Sequence, residues 1–366
     1  MAEPHEADAL AATNLFGIVS GGWMSQAVYV AAELRIADVL ASGANTSEEL
    51  ARAIGAHAPS LHRLMRALVT LEILRERADG TFELMPMGVL LRSDADHSLR
   101  SLAILYGKHL SREWLGLLHS VKTGESARRL FSSHNLFEDL EGDQQEAAIF
   151  DQAMLQATRL SADSVAQTYD FSGMQRIVDV GGGYGRLMEA ILKANPKVRG
   201  IVFDLPHATE KGRLYFQEIG LADRCEFVSG SFFESVPSGA NAYVLKSVIH
   251  NWNDERARVI LQHCAQAMAS GGKLILVERI VPQRLEPSAA HRTIALADLN
   301  MLVLLGARER TEDEYRALLS SAGMRLIRII PAILNFSIIE AVLCSLPPQL
   351  QPRQPFVANR TPQGNP

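Results

Sequence analysis

The segment that most limits the fold is Ile177-Val178-Asp179-Val180, followed directly by Gly181-Gly182-Gly183-Tyr184-Gly185 and the helical stretch Arg186–Lys193. An apolar strand that breaks into glycines and reopens as a helix marks the carboxyl end of a strand in an α/β sheet. Glycines there permit positive φ and let a ligand reach the backbone, and free N–H groups at the helix start attract an anionic group. The rhythm continues downstream. β-rich runs at Arg176–Val180, Gly200–Phe203, Cys225–Val228, Tyr243–Leu245 and Leu274–Val277 alternate with helical stretches, which predicts a parallel sheet covered on both faces. Met324–Ile330 and Phe336–Leu343 are joined by a segment with Pro331 and Asn335 that is too short for a crossover helix. They should form an antiparallel hairpin at the sheet edge.

The N-terminal half follows another pattern. From Leu15 to about Val165 apolar residues recur three and four apart, as in Leu61, Leu64, Met65, Leu68 and Leu71. Thr46-Ser47-Glu48-Glu49 has capping-box spacing, Pro59 suits a first helical turn, and Asp79-Gly80 turns the chain before Thr81–Leu84. Helix, turn, helix and hairpin is a winged-helix order. With 366 residues, 47% of them hydrophobic, two domains are expected. We place a helical winged-helix-like domain at 12–165 and the sheet domain at 166–345, with a flexible lead at 1–11. A Pro-, Gln- and Asn-rich disordered tail is expected at 346–366.

Winged helices often read DNA through a basic second helix. Here seven Arg stand against eight Asp or Glu between Ala41 and Arg100, and the candidate helix offers only Arg63 and Arg66. With a net charge of −5, nucleic acid and anionic membrane are poor partners, and a small molecule fits better. Cys225, Cys264 and Cys344 form no CxxC pair, which argues against disulfides or a zinc site. Met1–Leu10 is acidic where a signal peptide would be basic, and every apolar run is interrupted, so a cytoplasmic protein is expected.

Spacing and neighbours narrow the ligand. A dinucleotide fingerprint has G-x-G-x-x-G, whereas this loop has Gly181-x-Gly183-x-Gly185 with Asp179 in the strand before it. A carboxylate there would repel a pyrophosphate and suits a ligand with an ammonium group, such as the methionine half of S-adenosylmethionine. Val202-Phe203-Asp204-Leu205-Pro206 ends the second run, and an Asp at that tip can accept hydrogen bonds from ribose hydroxyls. Gly230-Ser231-Phe232-Phe233-Glu234 follows the third run, where Phe232 could lie on an adenine face or simply fill the core.

After the fourth run comes Lys246-Ser247-Val248-Ile249-His250-Asn251-Trp252, again at a carboxyl end. His250 is the candidate general base, since an imidazole with a pKa of about 6.5 can take a proton from an attacking hydroxyl. Glu278 ends the fifth run, and Glu309 precedes a helix opened by the capping box Thr311 to Glu314. Either acid could accept the other imidazole N–H. The plainer alternative is a surface acid for Glu278 and an ion pair of Glu309 with Arg308 or Arg310. A metal site at His250, Asp254 and the acids is the weaker option, and none is expected.

Together these residues resemble the plant-type, caffeate O-methyltransferase-like family of small-molecule O-methyltransferases, which also occurs in bacterial natural-product pathways. The resemblance spans residues 12–345. It rests on Asp179-Val180-Gly181-Gly182-Gly183, Phe203-Asp204-Leu205-Pro206, His250-Asn251-Trp252, Glu278 and Gly306-Ala307-Arg308-Glu309-Arg310-Thr311. It implies a Rossmann-like methyltransferase fold with a mixed seven-stranded sheet, and S-adenosyl-L-methionine as cofactor. It also implies a homodimer through interlocking N-terminal helices that close part of the partner's pocket. By position, Asp179, Gly181, Gly183, Asp204, Leu205, Gly230, Ser231, Phe232 and Lys246 would hold the cofactor. Met154 would line the cofactor and acceptor sites, and Thr158 would stand near the methionine carboxylate. His250 would be the base, with Glu278 and Glu309 beside it. Phe150, Met154, Asn251, Asn300, Met301 and Leu304 would receive the acceptor, expected to be a flat aromatic molecule.

Two positions depart from the family. Ser231 stands where Asp usually receives the adenine amino group, and Asn251 stands where Asp commonly follows the histidine. Three alternatives to O-methylation stay open at this point: N-methylation, a non-methylating step assisted by the sulfonium, and a ligand-responsive DNA-binding regulator.

Overall fold

The computed structural model describes residues 4–134 and 136–344. The tail at 346–366 therefore lies outside the described residues. Helix Pro4–Val19 takes in residues 4–11, where the sequence suggests a flexible lead.

The N-terminal part is helical. Helix Ser47–Ile54 starts from the expected Thr46 and Glu49 capping box, and helix Ala58–Thr70 carries its proline in the first turn. Strands β1 (Leu74–Glu76) and β2 (Phe82–Leu84) then pair antiparallel, completing the wing. Leu50, Leu61, Met65, Leu68, Leu74 and Phe82 meet in one small core.

Helix Gln144–Thr168 leads into the sheet domain and crosses the boundary placed at residue 165. Strands β3 (Arg176–Val180), β4 (Arg199–Asp204), β5 (Cys225–Ser229), β6 (Ala242–Lys246), β7 (Lys273–Arg279), β8 (Met324–Pro331) and β9 (Phe336–Leu343) form one sheet in the order β5-β4-β3-β6-β7-β9-β8. The first five are mutually parallel, and β9 is antiparallel to both β7 and β8. Sequence and structure agree on the hairpin. Alternate residues serve opposite layers, as pleating requires. Val178, Leu245, Leu274 and Leu276 pack under helices Asp254–Ala267 and Glu312–Ser321. Ile177, Val202, Val244 and Ile275 pack under helices Gln144–Thr168, Arg186–Ala194 and Pro206–Glu218. With both faces covered, the carboxyl ends of β3, β4, β6 and β7 are left to build a site, and strand order reverses beside β3.

Among the described residues no single helix is long and apolar enough to cross a membrane.

Candidate active site

The glycine loop forms a cradle. Gly181 (φ 73°), Gly183 (φ 57°) and Gly185 (φ 82°) all occupy left-handed backbone. A Cβ on Gly181 would lie 2.8 Å from Val248 Cγ2, and one on Gly185 would lie 2.8 Å from Phe216, whereas one on Gly183 would meet nothing within 4 Å. The space above Gly183 is thus open. Its N–H donates to Asp204 Oδ2 (2.6 Å), and Leu205 N–H donates to Asp204 Oδ1 (2.7 Å). Each oxygen keeps a lone pair for a further donor. Asp179 is buried beneath the loop, and its Oδ2 has no hydrogen-bond partner among the described residues. Burial, and then the charge of Asp204, push its carboxyl up to about 7. A buried acid with an unsatisfied oxygen beside an open glycine cradle fits a cationic nucleoside such as S-adenosylmethionine.

The rim supplies the remaining expected groups. Gly230 N–H donates to Asp204 O (3.0 Å), joining the two strand ends. Ser231 Oγ accepts from Phe233 N–H, capping its own turn. Phe232 packs edge-on to Phe233 and Trp252, and its ring is 3.7 Å from where a Gly181 Cβ would stand. Lys246 Nζ reaches Thr158 Oγ1 (3.4 Å), tying β6 to helix Gln144–Thr168. Burial and the nearby Arg279 charge pull its ammonium down to about 8.

His250 sits in the one-turn segment Ile249–Asn251 after β6 and is buried. Its Nδ1 lies 3.0 Å from Glu309 Oε1 and 3.4 Å from Glu278 Oε2. Glu278 Oε1 accepts the N–H groups of Val248 (3.1 Å) and Ile249 (2.8 Å). Those bonds hold the turn although Ser247 before it has φ 55°, a conformation costly for a non-glycine residue. Burial lowers the pKa of His250, but Glu278 and Glu309 outweigh it, and the net shift is upward. The carboxyl of Glu278 is raised by burial. Glu278 and Glu309 are both buried, so the surface-acid alternative fails, and Arg308 and Arg310 bind Asp254 instead of Glu309. Asp254 is thereby committed to arginines. The donor atoms of His250, Glu278 and Glu309 lie within 4.8 Å of one another. That closeness equally describes an imidazole held by two acids.

The residues expected to receive the acceptor lie where the N-terminal helices meet helix Ala289–Leu305. Phe150, Met154 and Leu304 share a cluster with Leu105 and Leu110. Met301 lies outside that cluster. Asn300 is buried and accepts the Trp114 indole N–H on Oδ1 (2.9 Å). Because an indole only donates, the amide orientation is fixed, and its NH2 is left to donate elsewhere. Asn251 turns its own NH2 back onto Ser247 O (3.1 Å), so that donor is committed to the loop.

Residues 114–325 match the O-methyltransferase domain family, and residues 16–94 match the O-methyltransferase dimerisation domain. This chain is an O-methyltransferase family member. Similar proteins include a phenazine O-methyltransferase of Lysobacter antibioticus, 38% identical over 93% of this chain and 99% of its own. Another is a 3-amino-4-hydroxybenzoate 4-O-methyltransferase of Streptomyces cremeus, 37% identical over 91% and 90%. A solved O-methyltransferase from neocarzinostatin biosynthesis, in complex with S-adenosyl-L-homocysteine and 1,4-dihydroxy-2-naphthoic acid, matches with TM-score 0.73. It is 34% identical and covers 87% of this chain and 96% of that one. Relatives at 32% identity include two named as N-methyltransferases. The methyltransferase uses S-adenosyl-L-methionine, and its dimerisation domain supports the expected homodimer.

Some groups that build the methyltransferase's site escape a reading by motif. Arg310 is fully buried and brackets the His250 turn, donating to Ile249 O (3.0 Å), Trp252 O (2.7 Å) and Asp254 Oδ1 (2.8 Å). Asp298 Oδ1 accepts Glu309 N–H (2.9 Å) and so positions that acid. Trp114 orients Asn300 from 186 residues away in sequence. Only the Arg310 position gave a signal, lying beside Glu309 in the quoted motif.

Proposed function

We propose that this methyltransferase methylates a hydroxyl on a small aromatic secondary metabolite, with His250 as the general base. The observation that carries this is the pairing of His250 Nδ1 with Glu309. It fixes the tautomer and leaves Nε2, which hydrogen-bonds no group among the described residues, to take the acceptor's proton. S-adenosyl-L-methionine supplies a methyl group already activated by a sulfonium. The chain's own work is placement, water exclusion and proton removal. Asp204 would take the ribose hydroxyls, and the backbone of Gly181 and Gly183 would line the cradle. Phe232 and Ser231 would flank the adenine, and Lys246, Thr158 and Asp179 would face the amino-acid end. Phe150, Met154, Met301 and Leu304 would sandwich a flat ring, with Asn300 donating to it.

We take residues 12–165 as the dimer- and pocket-forming unit and 166–345 as the catalytic unit, acting in the cytoplasm.

His250→Ala should keep cofactor affinity and lower turnover of a phenolic acceptor by about 10²–10⁴. Undiminished turnover would refute the role. The N-methylating relatives motivate a second reading, a nitrogen acceptor. An amine attacks with a lone pair before losing its proton, so on that reading His250→Ala should retain most turnover. Formation of S-adenosylhomocysteine separates both from a non-methylating reaction.

A further inference from the structure

Arg279, the last residue of β7, has no assigned part in the chemistry, and its surroundings are unusual for a structural arginine. Its guanidinium carbon lies 4.3 Å from the centroid of the Phe336 ring, while Lys246 Nζ lies 4.9 Å from the same centroid. Two cations thus share one aromatic ring at the carboxyl ends of β6 and β7. Among the described residues neither has an acid to itself within salt-bridge distance. Among the described residues Lys246 Nζ hydrogen-bonds only to the hydroxyls of Thr158 and Ser247, at 3.4 and 3.5 Å. The sole ion pair of Arg279 among the described residues is a long one, 3.8 Å to Glu309 Oε1, an oxygen already engaged by His250. Arg279 Nε is buried and hydrogen-bonds no group among the described residues. With Lys246 and Thr158 taken for the cofactor's amino-acid end, as proposed above, Arg279 is the cation beside the base, 3.8 Å from the Glu309 oxygen that holds His250.

We propose that Arg279 binds a carboxylate carried by the aromatic acceptor, so that the physiological substrate is a hydroxylated aromatic acid. This rests on the acceptor being the small aromatic molecule argued above. A guanidinium offers paired N–H donors that match a carboxylate, and such charge-assisted bonds are the strong ones in a partly buried site. Stacking on Phe336 holds the fork in place before the ligand arrives. Holding the acid also has a chemical use. A ring carboxylate near a phenol makes the hydroxyl harder to ionise, and neutralising it at Arg279 offsets that penalty while His250 takes the proton.

The test uses the full-length dimer saturated with S-adenosylhomocysteine and calorimetric binding of 2-hydroxy-1-naphthoate against its carboxamide. The wild type should prefer the acid by about tenfold or more. Arg279→Gln should abolish that preference, Arg279→Lys should restore part of it, and S-adenosylhomocysteine affinity should stay unchanged in both. Equal binding of acid and amide by the wild type, or binding of neither, overturns the proposal. A loss in Arg279→Gln that falls equally on both ligands also overturns it. Weakened S-adenosylhomocysteine binding in the variants would assign Arg279 to the cofactor's carboxylate and likewise overturn it. Methylation of a neutral phenol is measured in parallel. It stands if only the carboxylate assignment is wrong and vanishes if the aromatic-hydroxyl reading is wrong.

Discussion

His250 must be neutral to accept a proton, so turnover is lost as pH falls through its pKa. Because Glu278 and Glu309 hold that pKa above its ordinary 6.5, the acid limb of the turnover profile should lie above pH 6.5. Glu309→Gln removes one negative charge. The limb should move to lower pH while turnover at neutral pH drops by about tenfold or more; a limb that stays in place would show that Glu309 does not tune the base. Asp179 gives a second pH signature. Its folded pKa of about 7 lies above the ordinary 3.8, so the folded state holds its proton more tightly. That contribution to stability is full below pH 3.8 and is lost as pH rises through 7. In cofactor-free protein, Asp179→Asn should therefore lose less Tm than wild type between about pH 5.5 and 8, and parallel slopes would count against this account. The acids themselves were legible in the sequence because each stands at a strand end or before a helix cap. Asp298 and Trp114 were not, and Arg310 showed only as a motif neighbour of Glu309, because their value lies in distant carbonyl, amide and N–H groups that only the fold brings near.

The glycine loop is an element whose members do different things. Gly185 is needed for packing, since a methyl there would press on Phe216 at 2.8 Å with φ at 82°. Gly183 has φ 57° but no neighbour within 4 Å of a Cβ. Gly183→Ala should cost only about 1 kcal/mol in urea unfolding, yet weaken S-adenosylhomocysteine binding by putting a methyl into the cradle. Gly185→Ala should cost about 2 kcal/mol or more, because strain adds to overpacking. Equal effects of the two on stability would mean that the loop is a packed turn and no cradle. Period-two and glycine signals made the strands and this loop readable. The π-helix Leu105–Leu110 was not readable, because it answers a tertiary demand. A Cβ on Gly107 would lie 2.2 Å from Tyr29 Cβ, so helix Gly21–Glu33 packs directly on that backbone.

At the scale of the whole molecule, the first two helices expose a run of large apolar side chains. Leu15, Phe16, Ile18, Val19 and Trp23 are all more than half exposed, with Ile18 at 76% and Trp23 at 72%. Phe16 and Trp23 stack edge-on with ring centroids 6.3 Å apart, which makes the patch continuous across the turn between the first two helices. A contiguous apolar patch of this kind marks an interaction site, and the dimerisation-domain match covers it from residue 16 onward. Placing two carboxylates there should prevent association, because a charge buried at an apolar interface without a partner is strongly unfavourable. The double substitution Ile18→Asp with Trp23→Asp should therefore give a monomer by light scattering. Both side chains are exposed in the single chain, so its fold should remain intact by circular dichroism. If partner helices also close the acceptor pocket, the monomer should bind S-adenosylhomocysteine normally but show a raised acceptor KM and reduced turnover. A variant that remains dimeric moves the interface elsewhere, and one that is monomeric and fully active shows that each subunit's pocket is complete by itself.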